Sequence, residues 1–176
     1  MQSGLIQVYY GTGKGKTTAS IGLAIRAIGS NLKVIMIQFL KQDNTGEVQS
    51  LKTLEPNIKV FHFEKPRGFF WTLTDAEKEE LKVEVQLAMK FAKKVMDNEE
   101  CDILILDEVL AVVENGLLEE EKLCEFLVNK NENMEIVLTG RVLPDRVAGL
   151  ADYITEVNEI KHPMEKGISA RKGIEY

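Results

Sequence analysis

An octapeptide, Gly11-Thr12-Gly13-Lys14-Gly15-Lys16-Thr17-Thr18, stands between an apolar run, Leu5 to Tyr10, and a run of helical character, Ala19 to Gly29. A strand that passes through a glycine-rich turn into a helix N-terminus makes an anion site. Successive backbone N–H groups and the positive end of the helix dipole converge there on one point, which suits a phosphate. Lys16 would reach the phosphate oxygens as a positive charge, and the Thr17 hydroxyl is placed to ligate a magnesium ion. Only Thr12, Gly13 and Lys14 separate Gly11 from Gly15, whereas the usual phosphate loop has four residues at that point. The loop is one residue short. A glycine turn with no ligand is the alternative, but the lysines and threonines crowded into the same eight positions favour a nucleotide or another polyphosphate.

The chain downstream continues as an α/β protein. Ala19 to Ile28 is apolar almost all round, which predicts a helix buried on more than one side; Arg26 is the exception, either reaching water or turning back toward bound phosphate or ribose. Lys33 to Phe39 reads as a buried parallel strand and completes a βαβ unit. Strand ends in open α/β sheets face the ligand crevice, so Gln38, Lys41 and the loop from Asp43 to Glu47 line the expected site, with Asp43 and Asn44 read as solvated turn residues. A short helix, Glu47 to Leu54, precedes the strand Ile58 to Phe63, whose alternation predicts an edge or half-buried place and whose His62 is read as packing. Glu64 to Thr72 then puts Phe69, Phe70 and Trp71 side by side in a loop. They read either as a core plug or dimer contact, or as a stacking surface for a flat apolar ligand.

Thr74-Asp75-Ala76-Glu77 is a capping box opening a long helix with Leu81, Val85, Ala88, Ala92 and Val95 on one face. After it, Ile103 to Leu106 deliver two carboxylates, Asp107 and Glu108, to a strand end. Beside a phosphate loop such a carboxylate holds magnesium directly or through water; capping of the next helical turn is the alternative. A helical turn to Asn115, a helix from Leu118 to Asn129 and a strand from Glu135 to Gly140 follow. Arg141, at that strand's polar end, reads equally as a phosphate contact and as a surface ion pair. Tyr153 to Val157 can add a last strand, and the basic, glycine-spaced tail from Lys161 to Tyr176 can fray or fold back over the site.

Composition narrows the function classes. A net charge of −6 gives no general positive field for nucleic acid or a membrane surface, so neither is expected as a partner. No run is long enough for a membrane span and no signal-peptide pattern opens the chain, which predicts a cytoplasmic protein. Cys101 and Cys124 read as reduced structural thiols. With 176 residues and no linker or repeat, residues 1–176 are expected to form a single domain. The expected fold class is α/β: a mostly parallel central sheet flanked by helices, in a phosphate-loop, RecA-like nucleotide-binding architecture.

Several of these segments together carry a family likeness. With its short Gly11-to-Thr18 loop, Arg26-Ala27-Ile28-Gly29, Gln38-Phe39-Leu40-Lys41, Gly46-Glu47, Gly68-Phe69-Phe70-Trp71, Leu106-Asp107-Glu108, Thr139-Gly140-Arg141, Ala151-Asp152, Lys161-His162 and Gly167 to Tyr176, the chain resembles the ATP:corrinoid adenosyltransferases of cobalamin salvage and biosynthesis. Thr12 stands where that family often has Asn, Asp or Glu, and the N-terminal helical segment of some members has no counterpart before the first strand.

The resemblance implies a homodimer that moves the 5′-deoxyadenosyl group of ATP onto the cobalt of a reduced corrinoid and releases triphosphate. The nucleotide would lie in the loop in reverse. The resemblance further implies that Gly11, Thr12, Gly13, Lys14, Gly15, Lys16, Thr17 and Thr18, with Arg26 and Gln38, hold the nucleotide. Thr17, Asp107 and Glu108 would hold magnesium, or manganese in its place. Lys16 would stabilise the leaving group, and Phe69 and Trp71 would displace the corrinoid's lower axial ligand so that an electron-donating flavoprotein can reduce the cobalt. The rival expectations are a phosphate-loop kinase or ATPase acting at the γ-phosphate and a non-catalytic nucleotide-binding module.

Overall fold

A computed structural model describes residues 3–41, 45–68 and 70–175. The chain runs β1 (Ile6–Tyr10), α1 (Lys16–Ile28), β2 (Val34–Gln38), α2 (Gly46–Lys52), β3 (Ile58–His62), α3 (Asp75–Asp97), β4 (Ile103–Asp107), α4 (Val109–Glu114), α5 (Glu120–Val128), β5 (Glu135–Gly140), α6 (Asp145–Ala148) and β6 (Tyr153–Glu156), with short 3₁₀ turns at Phe70–Thr72 and Pro163–Lys166. The six strands form one sheet in the order β3-β2-β4-β5-β1-β6, and every pairing among the described residues is parallel. The sheet is thus wholly parallel where a mostly parallel one was expected. β3 lies at one edge, as its alternating pattern predicts, and β6 at the other.

Strict alternation along the central strands feeds two separate cores. Ile35 and Ile37 of β2, Leu104 and Leu106 of β4 and Ile136 and Leu138 of β5 pack with α3, α4 and α5 on one face. Val34 and Met36, Ile103 and Ile105, and Val137 pack with α1 and α2 on the other. A strand covered on both faces has no polar side to show, which is why these segments read as unbroken apolar runs. On α3 the capping box forms as its sequence predicts. The Thr74 side chain accepts from the Glu77 N–H, while the Glu77 carboxylate accepts from the Thr74 N–H at 2.8 Å.

One expectation about α1 fails. The helix buries a single stripe of small residues, Ser20, Ala24 and Ala27, and leaves Ile25 44 % exposed. A helix lying on one face of a sheet has only one side to bury, and among the described residues nothing covers its outer side. The two cysteines are free and buried, and burial pushes the Cys101 thiol up to about 12. Among the described residues no helix is long and apolar enough to cross a membrane.

The parallel arrangement has one consequence for function. All six strands end at the same edge, so the glycine loop after β1, Lys41 after β2, the aromatic loop after β3, Glu108 after β4 and Arg141 after β5 emerge together. An open parallel sheet binds its ligands at that edge.

Candidate functional site

The glycine loop is shaped partly by its neighbours. Gly11 donates its N–H to the Arg141 carbonyl at 3.1 Å and Gly13 donates to the Val157 carbonyl at 2.7 Å, so both donors are used inside the fold. A Cβ on Gly11 would lie 2.5 Å from the Val157 oxygen, and one on Gly13 would lie 2.8 Å from the Asn158 carbonyl carbon. These two glycines are needed where the chain leaving β6 crosses the loop. Gly15, at φ 118, makes the left-handed turn that starts α1. A helix leaves the N–H groups of its first turn without helical partners, so Lys16, Thr17 and Thr18 bring the anion donors. Thr12, between the two crossing points, is exposed. Lys14 turns away from the loop to the returning tail, donating to the Ile174 carbonyl at 2.9 Å and pairing with Glu175 at 3.4 Å. Lys16 is 8 % exposed and donates to the carbonyl of Gly13 at 2.8 Å, folded back on its own loop.

Asp107 is the hub of the site. It is fully buried at the end of β4, and four donors from four different segments surround it. Its Oδ1 accepts from the Thr17 hydroxyl at 2.9 Å and the Thr139 hydroxyl at 2.7 Å. Its Oδ2 accepts from the Gln38 amide at 3.0 Å and the Lys41 ammonium at 2.6 Å. Lys41 also donates to the Thr17 hydroxyl at 2.7 Å. Gln38 pairs with Asp107 in the sheet register and is buried. Because its NH₂ donates to Asp107, its carbonyl is the acceptor at 2.7 Å from His62 Nε2, and that ring nitrogen carries the hydrogen. His62 therefore orients Gln38, a role beyond the packing its sequence context indicated, and Gln38 orients Asp107.

Glu108 takes a left-handed backbone, φ 63, which an ordinary side chain disfavours by about 1 kcal/mol or more. Its N–H donates to the Thr139 hydroxyl at 2.8 Å, which holds the turn. Among the described residues its carboxylate has no hydrogen-bond partner. Burial, then the neighbouring Asp107, raises its pKa, while Lys41, Lys16 and Arg141 oppose that rise. Burial lowers the pKa of Lys16, with Glu108 acting the other way and Arg141 adding to the fall. Arg141 is thus close enough to both groups to be felt by them. Three cations and two carboxylates meet at this edge of an otherwise acidic chain, an arrangement suited to a polyphosphate with a hard divalent ion.

Residues 2–176 match the model of the family described as ATP:corrinoid adenosyltransferase BtuR/CobO/CobP. The chain belongs to the ATP:corrinoid adenosyltransferase family. It is similar to the corrinoid adenosyltransferase of Escherichia coli strain K12, with 31 % identity over 175 residues covering 99 % of this chain and 87 % of that protein. It is also similar to the corrinoid adenosyltransferase CobA of Salmonella typhimurium, 30 % identical over 99 % of this chain and 87 % of the relative. The corrinoid adenosyltransferase of Pseudomonas aeruginosa is 29 % identical over 99 % of this chain and 85 % of its own length.

The adenosyltransferase fold does not gather every residue named from the sequence. Arg26 is exposed in the last turn of α1, roughly 15 Å of helix beyond Lys16, farther than an arginine side chain reaches. It lines a surface cavity of about 440 Å³ with Gln7, Tyr9, Ala19, Tyr153 and Thr155, which reaches the residue that follows Thr18 of the loop. Trp71 is 77 % exposed in the turn Phe70–Thr72, which sets aside the core-plug reading for that ring. Phe70 instead packs against the core, with Lys78 over its ring at 5.5 Å. The segment before it is tied to α3 by the Arg67–Glu84 ion pair. Phe69, Asp43 and Asn44 lie outside the described residues. Sequence reasoning gave Lys41 a place in the site lining, left Arg141 between a phosphate contact and a surface ion pair, and gave Thr139 no role of its own. Their signal was their place at strand ends in a parallel sheet.

Lys41 owes its position to a second buried carboxylate. Leu40 is left-handed at φ 54, and its N–H donates to Glu64 Oε2 at 2.7 Å. Burial pushes the Glu64 carboxyl up to about 7, and its Oε1 is buried with no partner among the described residues. The folded protein therefore holds this proton more tightly than the unfolded chain does. That contribution to stability is fully present below about pH 4.5 and is lost as pH rises through about 7. Glu64→Gln keeps an acceptor for Leu40 and removes the titration. In urea unfolding at about pH 8 it should exceed the parent by about 1–3 kcal/mol, and the gap should close by about pH 5. Parallel pH profiles for the two proteins would show that Glu64 does not titrate in this window.

Proposed function

We propose that this chain transfers the 5′-deoxyadenosyl group of ATP to the cobalt(I) of a corrinoid and releases inorganic triphosphate, a step in making adenosylated cobalamin. The observation that carries the reading is the convergence of Lys16, Thr17, Lys41 and Asp107 at one sheet edge in a chain matching the family across residues 2–176. The cobalt lone pair attacks C5′, the C5′–O bond breaks, and its electron pair leaves with the triphosphate. Cobalt(I) is nucleophilic enough to need no protein base. The protein's task is then to hold the charge of the departing group. Lys16 would exchange the Gly13 carbonyl for a phosphate oxygen, and the N–H groups of Lys16, Thr17 and Thr18 would cradle the same group. Gly11 and Gly13 would serve the loop's shape, which the one-residue shortening also alters.

The oxygens of Thr17 and Asp107 already share one cation, and they are the hard donors that magnesium or manganese prefers. These two residues would hold the metal, with Glu108 beside them. When bound, it supplies further charge neutralisation for the triphosphate. The exposed Trp71, with Phe69, would meet the corrinoid face and displace its lower ligand, leaving a centre that a flavoprotein donor can reduce. A homodimer is also proposed. The outer side of α1 and the edge strand β6 leave Ile25, Tyr153 and Ile154 exposed, a surface a second copy could cover. A cytoplasmic location fits the two free cysteines.

A second reading has one observation in its favour. Glu108, a carboxylate carried on a left-handed backbone beside Asp107, could orient water at a γ-phosphate, as in an ATPase. Anaerobic incubation with Mg-ATP and chemically reduced corrinoid separates the two. A light-sensitive cobalt–carbon product should appear in equal amount with triphosphate, and little ADP should form. ADP and phosphate released without corrinoid would replace the transferase reading by the ATPase one. Lys16→Ala should lower kcat/KM by the equivalent of about 2–4 kcal/mol while the protein stays folded. Unchanged kinetics would place the anion site elsewhere. Trp71→Ala should leave the melting temperature and ATP affinity unchanged, because the ring is exposed. Its activity should fall mainly when cobalt(II) must be reduced on the enzyme, and equal losses with supplied cobalt(I) would argue against the ligand-displacement role.

A further inference from the structure

We infer that Lys41 is the resident cation of the metal seat, and that a divalent ion enters only when a triphosphate draws the Lys41 ammonium away. The inference rests on the reading of Thr17 and Asp107 as the metal ligands. The ammonium lies 2.7 Å from the Thr17 hydroxyl oxygen and 2.6 Å from Asp107 Oδ2, while that hydroxyl donates to Asp107 Oδ1 at 2.9 Å. One positive charge therefore bridges a residue of α1 and a residue of β4, two of the oxygen donors that a hard cation would take from this chain. An ammonium and a divalent ion on the same two oxygens would be nearest neighbours of like sign, and both cannot remain.

The placement of Lys41 is built into the fold. The lysine that the loop motif assigns to phosphate, Lys16, is bonded to the Gly13 carbonyl and does not occupy the seat. Lys41 reaches it because the chain bends just after β2. Phe39 donates its N–H to the Asp107 carbonyl at 2.9 Å, and the next residue, Leu40, takes its left-handed turn against the Glu64 carboxylate. A left-handed leucine persists only where its surroundings compel it.

The seat also needs an occupant. Asp107 is fully buried, and of its four hydrogen-bond donors three are neutral: two hydroxyls and an amide. Among the described residues Lys41 is the one cation bonded to it. A buried carboxylate without a counter-charge is strongly unfavourable, so the nucleotide-free protein keeps Lys41 in place. When a metal–triphosphate complex arrives, the metal takes over the neutralisation of Asp107. The released ammonium, a compact charge on a flexible stem, then has the phosphate oxygens as its new partner. Exchange of this kind makes metal uptake depend on nucleotide and leaves Asp107 paired throughout.

Equilibrium dialysis against Mn²⁺, with and without ATP, tests this on the full chain. The parent should retain Mn²⁺ with ATP present and bind it only weakly without. Lys41→Met, and Lys41→Gln, which still donates a hydrogen bond to Asp107 should the methionine variant fail to fold, should gain one nucleotide-independent Mn²⁺ site at least about tenfold tighter than the parent's. Adding Asp107→Asn to Lys41→Gln should abolish that gain. If the parent retains Mn²⁺ with ATP but the folded Lys41 variants bind no more tightly than the parent without it, the inference about Lys41 falls and the metal reading stands. A parent that binds one Mn²⁺ equally well with and without ATP would also overturn it. If no protein retains Mn²⁺ even with ATP, the assignment of Thr17 and Asp107 as metal ligands fails, and this inference with it.

Discussion

A carboxylate buried to the last atom at the end of a central strand dictates most of what surrounds it. Asp107 is closed off from bulk solvent, and each oxygen it carries finds its donors within the protein. The chain supplies them from α1, β2, the turn after β2, and β5, so one side chain ties four segments into fixed relative positions. The insertion of β5 between β1 and β4 makes this possible, because it places Thr139 between the glycine loop and the acidic strand end. Thr139 then donates to Asp107 and accepts from the Glu108 N–H, using both capacities of its hydroxyl. The charge pattern of the site follows from the satisfaction of one buried group.

The glycine loop answers to two requirements at once, and only one is visible from its motif. A phosphate ligand would account for Gly15, whose left-handed turn starts a helix with unpaired N–H groups. Gly11 and Gly13 answer to the segment leaving β6, whose backbone approaches too closely for any Cβ. The same segment leads into the tail that returns to Lys14. The loop is therefore held from both sides, by β5 through Arg141 and by β6 through Val157. A shortened loop has fewer residues to adjust, so such bracing can fix its shape before any ligand arrives.

The fold was largely legible because its strands carry a strong local signal. Continuous apolar runs at β2, β4 and β5, a capped α3 and polar residues at successive strand ends all point to a parallel sheet with its ligand edge marked. Strand order was not legible, since it depends on which apolar faces meet across long crossovers and no single segment encodes that. α1 misled because an apolar residue, Ile25, stands on its exposed side as well. In the site, Lys16, Thr17, Asp107 and Glu108 could be named from their positions. Gln38 could be named too, but its amide is spent on Asp107 and His62, a pairing that spans three strands. Arg26 stands apart from the Lys16 cluster for a related reason: sequence proximity to the loop becomes axial distance once the segment is helical.

The aromatic segment shows how one loop divides structural and surface duties between adjacent residues. Arg67 is clamped to Glu84 on α3, and Phe70 packs into the core beneath Lys78, so the backbone on both sides of the loop tip is anchored. Trp71 follows immediately and stays mostly in solvent. A large apolar ring held mostly in solvent on a fixed base buries little of its surface within its own chain, and that exposure opposes the hydrophobic effect. Exposure on this scale leaves most of the ring's surface open to a further partner. Because the loop leaves β3 at the same edge as the phosphate site, that partner would lie over the ligand side of the sheet. A flat, largely apolar macrocycle presented to C5′ of a nucleotide meets that requirement, whereas phosphoryl transfer to water would leave the ring without a task.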